Sequence, residues 1–115
     1  MQYLKGLIIK SPYIEKILQG EKSWEIRGTN TNIRGKIALI KSGSGTVLGT
    51  VELVASRKLT IHEYQTSEQF HCVSREDSFN PQYKNIYAWI LKNPVTFSAP
   101  QLYKHPQGAV IWVNL

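Results

Sequence analysis

Gly20-Glu21-Lys22-Ser23-Trp24-Glu25-Ile26-Arg27 is the stretch whose reading decides the fold. Trp24 to Arg27 alternates apolar and charged residues, the pattern of a strand, in which successive side chains face opposite ways. Trp24 and Ile26 therefore share one face, and Glu25 and Arg27 share the other. Lys22 lies just before the strand, where parity does not set its direction. Gly20 suits the left-handed residue that ends a helix. Two readings of the charged residues stand. Glu25 and Arg27 form a surface ion pair of little worth, or they wall a cleft. In a cleft, Lys22 and Arg27 hold a phosphate or carboxylate, while Glu25 fixes the arginine fork or accepts from a base.

Upstream, Leu4–Lys10 is a short apolar run that reads as a buried first strand. Ser11-Pro12 reads as a helix start, Ser11 at the N-cap and Pro12 at the first helical position. Ile14, Ile17 and Leu18 follow as one apolar stripe. So short a helix is not stable alone and needs a sheet beneath it. Downstream, Gly28–Asn32 is a polar loop without an apolar anchor, expected to be mobile. Lys36–Lys41 and Thr46–Val54 read as strands around the turn Ser42-Gly43-Ser44-Gly45, and Gly49 marks a bulge, a bend or a close backbone approach. Thr60 and Glu63 fit a capping box. Thr66–Tyr83 is weakly patterned and reads as a helical turn with irregular structure. Asn85–Lys92 is a strand, Asn93-Pro94 a turn, Val95–Phe97 a short extended piece, and Ala109–Leu115 the last strand. Five or six short strands with two or three short helices predict an α+β fold, a small and mostly antiparallel β-barrel whose closure removes exposed edges.

The whole chain bounds what such a fold can do. Its 115 residues predict one domain, 1–115, with a core that needs no metal or disulfide staple. The lone Cys72 excludes an intramolecular disulfide and fits a reducing cytoplasm. No targeting segment or membrane span is legible, so a cytoplasmic location is expected. Fourteen Lys+Arg against eight Asp+Glu give a formal charge of +6, which favours polyanionic partners or simply solubility.

Other candidates carry weaker signals. Trp24 and Trp89 are either stacking surfaces for a base or core residues, and Trp112 reads as core. Lys41 with the following glycine turn is either a phosphate cradle or a plain hairpin turn. Ser11 caps the first helix or meets an anion at its N-terminus. His62, His71 and Cys72 do not match a zinc spacing, so no metal and no cofactor are expected. His105 is a surface histidine or reaches the cleft.

Gly20-x-Lys22-x-x-Glu25-x-Arg27, followed by Arg34-Gly35-Lys36-Ile37-Ala38-Leu39-Ile40 and by Tyr87-Ala88-Trp89 with Phe97 and Pro100, resembles the ASCH domain family of the PUA-like superfamily. About residues 57–84 fall outside the resemblance. It implies a β-barrel whose cleft lies between barrel and first helix, and a partner that is RNA or a nucleotide-like small molecule. It assigns Lys22, Glu25 and Arg27 to that cleft, with Lys22 and Glu25 as the candidate catalytic pair. Arg27, Trp24, Lys41 and Ser11 are candidate ligand contacts. Some members resembling this chain are ribonucleases, and others are amidohydrolases of 4-acetylcytidine that use lysine, threonine and glutamate. Here Glu25 stands where that threonine is expected, and a carboxylate does not replace a hydroxyl nucleophile. Binding is therefore the first expectation, hydrolysis in the same cleft the alternative, and a protein-interaction module the third.

Overall fold

Leu7 and Ile9 are enclosed on every side because the first strand is an inner strand, flanked on both edges. In the computed structural model, which describes residues 4–115, that strand is β1 (Lys5–Ile9). Residues 1–3, which open the stretch read for a targeting segment, lie outside the described residues. After β1 come α1 (Tyr13–Leu18), β2 (Trp24–Arg27), β3 (Gly35–Lys41) and β4 (Thr46–Leu59). Three short helices follow, α2 (Ile61–Gln65), α3 (Glu68–His71) and α4 (Arg75–Ser78), then β5 (Ile86–Leu102) and β6 (Trp112–Asn114). The six strands form one sheet in the order β2-β5-β4-β3-β1-β6. Among the described residues only β1 and β3 run parallel; the other neighbours are antiparallel. The fold is α+β, with four short helices, and α3 and α4 are single turns inside the stretch that read as weakly patterned.

Two long strands bend the sheet on itself. β4 and β5 pair over most of their lengths, with register shifts at three places. Gly49 sits at one of them, where an added Cβ would run into the Val95 carbonyl and the Leu18 side chain. The turn expected at Asn93-Pro94 is absent, and β5 runs through it. Asn93 adopts a left-handed φ of 54°, which asparagine tolerates better than most residues. It lies with Pro94 in a gap of the register between Lys92 and Val95, so the missing proline N–H costs no ladder bond. The curl brings Trp89 of β5 against Trp112 of β6, their rings stacked at 5.8 Å. Leu7, Ile14, Ile37, Leu39, Leu53 and Trp89 fill the space between sheet and α1.

Ser11 does not cap α1. The Tyr13 and Ile14 N–H groups both donate to the Lys10 carbonyl (3.1 and 3.2 Å), so these early amides are already served. Pro12 occupies the cap position, and the Ser11 hydroxyl donates to Glu15 Oε2 at 2.7 Å. The polar loop after β2 is tethered: the Trp89 indole donates to the Thr29 carbonyl at 3.0 Å, and the Arg34 guanidinium to the Thr31 carbonyl at 2.8 Å. No helix among the described residues is long and apolar enough to cross a membrane.

Candidate functional site

The C-terminus of α1 aims Lys22. Gly20, at φ 87°, takes the left-handed position; its N–H donates to the Ile17 carbonyl, and that of Glu21 to the Lys16 carbonyl. This is the paired hydrogen-bond pattern of a Schellman turn. The Lys22 N–H adds a third bond, also to the Lys16 carbonyl at 3.1 Å. The turn folds Lys22 back under the helix, where it is 3% exposed. Its ammonium donates to the His71 carbonyl, lies 3.7 Å from Glu25 Oε1, and sits over the Tyr13 ring, 4.9 Å from its centre. Burial lowers the Lys22 pKa below the ordinary lysine range, while Glu25 pulls the other way.

Glu25 stands between two cations. Oε1 faces Lys22, and Oε2 accepts from Arg27 Nε at 2.9 Å, with Nη2 also 2.9 Å away. Arg27 Nη2 also donates to the Ile8 carbonyl at 2.9 Å. β2 and β1 lie far apart in strand order, yet this one guanidinium spans them. It bridges the curled sheet just beyond the register in which β6 covers β1 at Lys5–Leu7. No hydrogen bond from Arg27 Nη1 occurs among the described residues.

These residues floor a cavity of about 320 Å³, at the lower end of the size range of small-molecule sites. One wall comes from β1 and α1, through Ile8, Lys10 and Tyr13. The opposite wall is the excursion between Leu59 and Ile86, which supplies Tyr64, Asp77, Asn80, Gln82 and Tyr83. Tyr83 lies over Gly28, so closely that a Cβ there would meet its ring at 2.7 Å. Burial, then the Asp77 and Glu25 charges, raise the Tyr13 pKa; burial takes Tyr64 to about 12. Both phenols stay protonated at neutral pH. The Asp77 carboxylate has no ion-pair or hydrogen-bond partner among the described residues.

Of the residues singled out from sequence, Lys22, Glu25 and Arg27 meet in this cavity. Trp24, Lys41 and Ser11 are not among its walls. Trp24 sits on the opposite strand face, packed against Phe70 and Arg57. Lys41 pairs with Glu15 at 3.7 Å on the outside of α1, while its neighbour Ser42 reaches the cavity rim. Its glycine-rich stretch is a hairpin turn in which Ser44 Oγ bonds the Lys41 carbonyl at 2.7 Å. His105 stays on the surface, held between the Tyr103 hydroxyl and the Ala109 carbonyl. His71 is fully buried and structural. Val73 N–H donates to its Nδ1, leaving Nε2–H to donate to the Tyr64 carbonyl at 2.6 Å. Burial, reinforced by Lys22, lowers its pKa. No group of three metal-ligating side chains occurs among the described residues.

A profile of the ASCH domain matches residues 7–101. This chain belongs to the ASCH family. The family is PUA-like and proposed to bind RNA. No curated protein matches the sequence significantly. Among solved structures, the ASCH protein of Zymomonas mobilis superposes with a TM-score of 0.76 at 13% identity, over 96% of this chain and 86% of that one. Its tyrosine-to-phenylalanine and serine-to-alanine mutants superpose equally well, at 13% identity and over 88% and 87% of their lengths. At that identity the likeness carries the ASCH fold and nothing finer. The wall from the excursion had no sequence signal, because its cavity residues follow neither helical nor strand periodicity.

Proposed function

We propose that this ASCH domain binds one unpaired nucleobase, as a free nucleoside or as part of RNA, in the cavity over Lys22, Glu25 and Arg27. The observation that carries the reading is the division of polar groups between floor and wall. Among the described residues Arg27 Nη1 is an unused donor and the Asp77 carboxylate an unpaired acceptor, and both residues line the cavity. A base edge presents carbonyl acceptors beside amino or imino donors and so matches both. Tyr13, Tyr64 and Tyr83 add aromatic surface of the kind on which bases stack. The charge balance favours base over phosphate. Lys22 and Arg27 already share Glu25, and Asp77 would repel a dianion, which leaves Lys10 and Ser42 as the places for a backbone phosphate.

Lys22 favours hydrolysis as a second reading, since a buried lysine with a lowered pKa yields its amine more readily. One set of measurements tests both. The four ribonucleosides, their 5′-monophosphates and N4-acetylcytidine are titrated calorimetrically at a single salt concentration, and the acetylated mixture is assayed for released cytidine. At least one nucleoside is expected to bind, its 5′-phosphate to add less than about threefold, and Asp77→Ala to weaken binding about tenfold. Absence of binding by all of them, or affinity unchanged in Asp77→Ala, overturns the base-pocket reading. Cytidine release that disappears in Lys22→Arg supports hydrolysis.

A further inference from the structure

The Trp24 indole packs against two side chains. The Phe70 ring lies nearly parallel to it at 4.8 Å, with 24° between planes. The Arg57 guanidinium sits over it, 5.2 Å from the ring centre. Trp24 is partly covered by these neighbours, whereas Phe70, stacked on it, is 41% exposed. We propose that the exposed Phe70 ring takes a second, unpaired base of a single-stranded RNA, another base of which occupies the cavity. This rests on the base-pocket reading and extends it from a nucleoside to a strand.

The placement comes from α3. The Ser23 N–H donates to the Phe70 carbonyl at 2.9 Å, fixing the helix to the start of β2. The next residue, His71, is 0% exposed and gives its carbonyl to the Lys22 ammonium on the cavity floor. Consecutive residues of one helical turn thus carry the exposed ring and hold the Lys22 ammonium, which ties the ring to the cavity floor through α3. A ring already locked against Trp24 has little rotamer freedom left to lose when a base docks on it. The partner's chemistry follows from the cation beside the indole. The Arg57 side chain is 53% exposed, and its 3.6 Å contact with Glu63 is a surface pair, weak enough to yield to a phosphate. A flat exposed ring, a guanidinium beside the same indole and a chain of net charge +6 fit a sequence-tolerant single strand.

The test compares a fluorescein-labelled single-stranded hexaribonucleotide of mixed sequence, read by anisotropy, with the nucleoside that binds most tightly, read by calorimetry. Phe70→Leu keeps an apolar cover on Trp24 and removes the π face, and Phe70→Trp restores a larger one. Phe70→Leu is expected to weaken the hexamer about tenfold and the nucleoside less than twofold, and Phe70→Trp to recover hexamer affinity. Equal losses for hexamer and nucleoside show a structural role and overturn the proposal. Hexamer affinity unchanged in Phe70→Leu also overturns it and leaves the exposed ring to a protein contact. A Phe70-dependent hexamer with no nucleoside binding keeps the stacking site and removes the pocket reading alone.

Discussion

Glu25 is 7% exposed and is, among the described residues, the one carboxylate shared by two cations, one of them almost fully buried. Taking such a group out of water is costly, and the cost is met only while all three partners remain. Glu25→Gln leaves Lys22 and Arg27 side by side with no negative charge between them. We expect a loss of about 3–5 kcal/mol in denaturant unfolding, the range for breaking a buried pair. Adding Lys22→Met to that variant removes one of the orphaned cations and should return part of the loss, a non-additivity that a double-mutant cycle measures. A Glu25→Gln cost under ~1 kcal/mol would show the triad to be solvated. The same packing limits what these residues can do chemically. Glu25 has each oxygen facing a cation, so it serves better to orient Arg27 than to carry protons.

At the scale of elements, α1 matters for how it ends. Its six residues bury Ile14 and Ile17, and the Schellman turn then reverses the chain so that Lys22 enters the interior. Gly20 makes this possible, because at φ 87° any Cβ is strained even with nothing within 4 Å of it. Gly20→Ala should cost about 1–3 kcal/mol, the usual penalty for a non-glycine residue held left-handed. Because Lys22 depends on the turn, nucleoside affinity should fall alongside stability. Unaltered stability and binding in this variant would detach the helix end from the site. Ser11 teaches the opposite lesson at the other end of α1. Its N-cap signal was correct in residue type, yet the Lys10 carbonyl had already taken the Tyr13 and Ile14 amides.

Across the whole molecule, burial is uneven. Ile37, Ala38, Leu39 and Ile40 of β3 are at most 1% exposed, whereas the excursion joining β4 to β5 buries only Tyr64, His71 and Ser78 among its described residues. Local opening should therefore be cheapest in the excursion, which is also the second wall of the cavity. Hydrogen exchange should show amides of α3 and α4 exchanging fastest among the helices and strands and those of Ile37–Ile40 slowest. Saturating nucleoside should slow the former and leave the latter unchanged. Equal protection of β3 and α4 in the free protein would contradict the uneven burial.

Much of this was legible from residues alone. Alternation placed Glu25 and Arg27 on one face of β2, where they do meet. Gly20 marked the end of α1, and Thr60 with Glu63 marked the capping box that starts α2. Such features are local, set by backbone sterics and by side chains within four residues of one another. The long strands, the missing turn at Asn93 and the burial of Lys22 were not legible, because each depends on partners far along the chain. Ladder pairing on either side carries β5 past Asn93-Pro94; His71, forty-nine residues away, receives the Lys22 ammonium. Sequence by itself determined the elements and the charged motif. Only the tertiary structure decided that the motif is a buried triad, that Trp24 is already stacked on Phe70, and that Tyr64, Asp77 and Tyr83 complete the cavity. The physical reason is that burial and charge pairing are properties of the neighbours a residue acquires when the sheet curls, and no local pattern encodes them.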